Sequence, residues 1–111
     1  MFEITITRTY GRRTTHCIDT TPNGLVPRNF LVDVSSCLAF PQLEQVIGID
    51  IKGETDDIRE AGLVLGRYMA GMYCETPSTI DYDFQVSDNL NLLIGYISGV
   101  MNSIWSEREE V

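Results

Sequence analysis

His16 and Cys17 are the one place in this 111-residue chain where a histidine adjoins a cysteine, and an imidazole beside a thiol can activate it as a nucleophile. Their setting weakens that reading. "TTHCIDTT" is rich in β-branched residues and predicts a strand, in which consecutive side chains leave opposite faces, so His16 would need a bulge to orient on Cys17. An ordinary pair of strand residues is expected. With a single histidine in the chain, any Cys/His nucleophile or multi-histidine metal site would have to be built around this position.

Asp81 and Asp83 alternate within "TIDYDFQV", a spacing that puts two carboxylates on one strand face, where they can hold a hard cation or move a proton. No further ligand spacing extends the pair, and a solvated acidic row that keeps an edge strand from pairing accounts for it equally. "GETDD", residues 53–57, has an acidic run like part of a calcium loop but lacks the alternating ligands and the closing Glu. Helix-capping aspartates are the expectation there. Arg12 and Arg13 follow Tyr10 and Gly11 at a hairpin tip and can pin an acidic group or a phosphate. The chain carries no phosphate-binding glycine loop, nucleophile elbow or metalloprotease helix, so neither a catalytic residue, a metal nor a cofactor is expected.

The elements that must position these residues follow from periodicity. "FEITITRTY" alternates Phe2, Ile4 and Ile6 against Glu3, Thr5 and Thr7, the pattern of a half-buried strand, with "YGRR" turning the chain into an antiparallel return. "NFLVDVSS" and "VIGIDIKG" read as two further strands, and "LAFPQLEQ" between them admits a short helix after Pro41. Thr55 as N-cap, followed by Asp56 and Asp57, opens a first long helix reaching toward Pro77. "TIDYDFQV" is expected to be a strand, and Ser87 or Asp88 to cap a last helix. The predicted fold is a single α+β domain over residues 1–111: a mostly antiparallel sheet of four to five strands with two long helices on one face.

The last helix contains Gly95 and Gly99 in its middle. On a helical wheel Leu90, Leu93, Ile94, Ile97, Met101, Ile104 and Trp105 form the core stripe, while Gly95 and Gly99 fall behind it with Leu92, Asn102, Ser103 and Ser106. Each glycine costs about 1 kcal/mol relative to Ala, so a covered back face is the economical reading. The cover is either internal, the two helices crossing glycine to glycine, or a symmetry mate in a homodimer, which makes Leu92, Gly95, Gly99, Asn102 and Ser103 the candidate oligomer interface. Gly62 and Gly66 of the first long helix lie at the edge of its core stripe.

Sixteen acidic against eight basic residues give a formal charge of −8, which excludes nucleic acid as a direct ligand on electrostatic grounds. The charge is uneven, since residues 1–30 hold four Arg against Glu3 and Asp19. Three cysteines, an odd number without close pairing, fit a reducing, cytoplasmic setting, and no apolar run is long enough to span a membrane. The expected function is non-enzymatic: a small acidic protein-binding module, an inhibitor or adaptor offering negative charge to a basic, nucleic-acid-binding surface of a partner. Its candidate contacts are Asp56, Asp57, Asp81 and Asp83, with Arg12 and Arg13 for an acidic group. Alternatives are a homo-oligomeric assembly subunit and, third, a small-ligand binder or enzyme with a pocket among Tyr68, Tyr73, Tyr82 and Trp105.

Overall fold

The computed structural model describes residues 1–20 and 26–109. β1 (Phe2–Arg8) and β2 (Arg13–Ile18) form a hairpin whose turn uses Gly11 at φ 79°, a conformation that glycine adopts without steric cost. β3 (Val46–Lys52) pairs antiparallel on the other side of β1, giving the order β2-β1-β3. The register aligns Phe2 with Ile18 and Ile4 with both His16 and Ile51, so one face carries the apolar residues. The other face pairs Thr5 with Thr15 and Asp50 and stays polar. The alternation of β1 continues without a break to its last residue, Arg8, which therefore lies on the core face at 7% exposure, while the pairing with β3 shifts between Thr7 and Arg8.

Among the described residues the sheet thus has three strands, not the four to five expected, and three helices, not two, complete the α+β fold. "NFLVDVSS" is not a strand but part of α1 (Arg28–Ala39). Phe30, Val34, Cys37 and Leu38 are its buried apolar residues, a spacing of four and three that a helix and not a strand brings to one side. Its β-branched valines masked that period. "TIDYDFQV" is not a strand either: it contains a 3-10 turn, Thr79–Asp81, in which the Ser78 hydroxyl accepts the Ile80 N–H at 3.4 Å. Of its alternating apolar residues only Tyr82 is buried, donating its hydroxyl to the Leu38 carbonyl at 3.0 Å, while Ile80 is 87% exposed. Alternation without a neighbouring strand to pair with does not make a strand.

α2 (Thr55–Met72) is capped one residue earlier than expected, by Glu54 and not Thr55, and the Glu54 backbone N–H donates to Asp57 at 3.1 Å. It stops at Met72, short of Pro77. α3 (Asp88–Glu109) opens with the Ser87 hydroxyl accepting the Leu90 N–H at 3.2 Å. The two helices meet through Gly62 and Gly66. A Cβ on Gly62 would stand 2.5 Å from that of Tyr96, and one on Gly66 2.8 Å from that of Val100. Farther along, Trp105 donates its indole N–H to the Ala70 carbonyl at 3.0 Å. The contacts advance along both helices together, so α2 and α3 run parallel. Only bare backbone on α2 permits this approach.

Candidate functional site

Two surfaces gather the side chains able to act on other molecules. The first lies where the hairpin meets α1. Arg8 is held on the core face by the β1 register, and there its guanidinium donates to Asp33 Oδ1 at 2.9 Å, Cys37 Sγ at 3.1 Å and Thr14 Oγ1 at 3.2 Å. Glu44 stands 4.0 Å away. The second oxygen of Asp33 is bonded to His16 Nε2 at 2.7 Å. His16 also sets its ring edgewise on Phe30, 5.9 Å between centroids. An open depression of about 430 Å3 lies over this network, its wall completed by Tyr10, Arg12 and Asn29.

Cys17 is not part of it. It leaves the opposite face of β2, with its thiol 3.7 Å from a Glu3 carboxylate oxygen; local desolvation and then that carboxylate hold the thiol above its ordinary value. Burial, followed by Asp33, pushes the Cys37 thiol up to about 12, so it stays protonated and is no nucleophile. Arg12 and Arg13, adjacent in sequence, diverge: Arg12 borders the depression and Arg13 stands exposed on the open sheet face opposite Thr7. Asp33 went unrecognised in the sequence. Its signal is a lone carboxylate inside "NFLVDVSSCL", four residues before Cys37, informative only once that segment is helical.

The second surface is a groove at the end of the molecule where α1 and α2 both finish. Two adjoining recesses of about 300 and 370 Å3 share Ala39, Phe40 and Asp81. Pro41 and Leu43 extend one wall, Met72 to Pro77 the other. Phe40 packs edgewise on Tyr73 at 5.5 Å yet remains 47% exposed, and Leu43 and Met72 are exposed further. Glu75 and Asp81 are the charged residues on these walls, and Asp83 lines a neighbouring recess beside Gln42 and Ile47. None of the lining residues is basic. Neither α1 nor α2 has a basic residue in its last turn, so two negative helix ends add to those carboxylates.

The four predicted carboxylates therefore do not form one patch. Asp56 and Asp57 sit at the start of α2, beyond the last residue of β3, whereas Asp83 lies beside its first residues, about 20 Å away along seven residues of strand. Asp57 is occupied by the fold. It accepts from Thr20 and the Glu54 N–H and meets the Met1 ammonium at 3.0 Å, and these bonds, Thr20 first, lower its carboxyl below the usual value. Asp56 is exposed, 3.6 Å from Arg59. On α3, Gly95, Gly99, Asn102 and Ser103 are exposed and Leu92 partly so, and a Cβ on either glycine would meet nothing within 4 Å. The internal crossing of two glycine pairs is thereby replaced: α3 offers Tyr96 and Val100, not its glycines, to α2. Of the four aromatics expected around a pocket, Tyr73 lines the groove, while Tyr68, Tyr82 and Trp105 pack in or against the core.

Among the described residues no cluster of His, Cys, Asp or Glu has the geometry to hold a metal ion, and no helix is long and apolar enough to cross a membrane. The chain matches no family model, no curated protein and no solved structure.

Proposed function

We propose that this protein is a small acidic protein-binding module, an inhibitor or adaptor, and that it receives its partner in the groove at the ends of α1 and α2. The observation that carries the reading is the coincidence of large exposed apolar side chains with unrelieved negative charge: Phe40, Leu43 and Met72 lie between Glu75, Asp81 and Asp83. Burial of one such side chain is worth about 1.5–3 kcal/mol, and the carboxylates select what surrounds the anchor. The matching partner segment carries a bulky apolar residue flanked by Lys or Arg, as found on basic surfaces that contact nucleic acid.

Selection of random dodecapeptides on the immobilised protein tests this. The selected set is expected to converge on an apolar anchor with basic neighbours, to bind more weakly as salt is raised, and to be lost on Phe40→Asp. A set without basic residues, or one that Phe40→Asp still retains, contradicts the proposal. The second reading, an assembly subunit joined through the back of α3, draws on the open glycines Gly95 and Gly99. A monomeric mass by light scattering for both wild type and Gly95→Leu removes it.

A further inference from the structure

We propose that the depression over Arg8, Asp33 and His16 binds a small phosphate monoester, taken up together with a proton from solvent on His16. The starting point is the tautomer. Asp33 accepts an Arg8 N–H on one oxygen and bonds His16 Nε2 on the other, and an ionised carboxylate can only accept, so the ring carries its proton on Nε2. In the neutral imidazole Nδ1 is then the proton-accepting position, and a second proton there completes the cation.

The charges around the ring set the conditions for its arrival. Charged and titratable groups come from every neighbouring element: Arg8 from β1, Tyr10 and Arg12 from the hairpin, Asp33 and Cys37 from α1, and Glu44 beyond it. Two arginines oppose two carboxylates, and burial keeps the Cys37 thiol neutral. The lining is therefore balanced until His16 is protonated, when it gains one positive charge. An anion bound there stabilises that form, and protonation in turn strengthens the anion's hold.

Donors suited to oxygen surround the space. Arg12 makes no ion pair among the described residues, leaving its guanidinium fork to engage two oxygens. Asn29 spends its Oδ1 on the Phe30 N–H at 3.1 Å, which leaves its amide NH2 to donate. Thr14 accepts from Arg8, so its own O–H is free to point outward. Donors from the turn, β2 and α1 suit the three oxygens of a phosphoryl group better than the two of a planar carboxylate. At about 430 Å3 the space falls in the range of small-molecule sites, roughly 300–1,000 Å3, and exceeds the needs of a bare ion.

His16 is the only histidine in the chain, so its carbon-bound ring protons report on the site without assignment. Inorganic phosphate and phenyl phosphate are titrated separately at constant pH 7 and ionic strength, with the His16 signal followed by NMR. The expected result is a saturable movement toward the protonated position, half-complete at a lower concentration of phenyl phosphate than of phosphate. Arg12→Gln, an exposed turn substitution, should raise both half-saturation points about tenfold, and Asn29→Ala should raise them less. Equal half-saturation for the two probes overturns the ester assignment. A linear drift without saturation, or curves unchanged in both variants, overturns the site itself.

Discussion

The groove beside Phe40 and the back of α3 are both open to solvent, and they differ in what a partner gains by covering them. The groove offers Phe40, Leu43 and Met72, whose burial removes large apolar surfaces from water. The α3 strip offers Gly95 and Gly99, which let another backbone come close but contribute little apolar area of their own. Smoothness permits contact, and apolar area drives it. The two glycine pairs teach the same lesson inside one molecule. Gly62 and Gly66 have the spacing of Gly95 and Gly99, yet the first pair is pressed against Tyr96 and Val100 and the second touches nothing. Spacing alone does not say which pair is used.

The largest expected effect tests that contrast. Gly66→Leu must displace Val100 and the Ile97 carbonyl, and chemical denaturation should show a loss of about 3 kcal/mol. Next, Phe40→Asp should weaken a groove-binding peptide about a hundredfold, the loss of one central anchor, while circular dichroism shows the fold intact. A smaller effect separates the carboxylates. Asp57→Asn replaces one of the two accepting oxygens by an NH2 and removes the charge facing the Met1 ammonium, so it should lower the melting temperature at neutral pH, whereas Asp81→Asn should leave it unchanged. Because the folded protein lowers the Asp57 carboxyl, its contribution is present above the unfolded-state value and disappears as pH falls through the folded one. The difference between wild type and Asp57→Asn should therefore close on acidification. Smallest, Gly95→Ala and Gly99→Ala should each stabilise the protein by about 0.5–1 kcal/mol if water covers them, measured by denaturation; destabilisation would reveal a packed neighbour.

Legibility followed where each segment's period was settled. β1 could be read because Phe2, Ile4 and Ile6 alternate strictly and end at a glycine turn, and α2 and α3 because their apolar stripes run for many turns. α1 could not, because Val32 and Val34 give "NFLVDVSS" a strand-like alternation while the helical set Phe30, Val34, Cys37 and Leu38 reaches past that window. The loss of α1 hid both surfaces. Asp33 has meaning only on a helix facing Arg8 and His16, and Phe40 marks a groove only when α1 ends there beside Met72. Met72 has the helical spacing of the buried Leu65 and Met69, but it is the last residue of its helix and stays 60% exposed. The aspartates were visible as charge, but not as two groups at opposite ends of β3.

The most direct measurement is calorimetric titration of one peptide, selected on the wild-type protein, into wild type, Phe40→Asp and Gly95→Leu. The groove account predicts that Phe40→Asp abolishes measurable heat while Gly95→Leu binds as wild type does. Retained binding in Phe40→Asp together with loss in Gly95→Leu would move the partner face to α3 and contradict it.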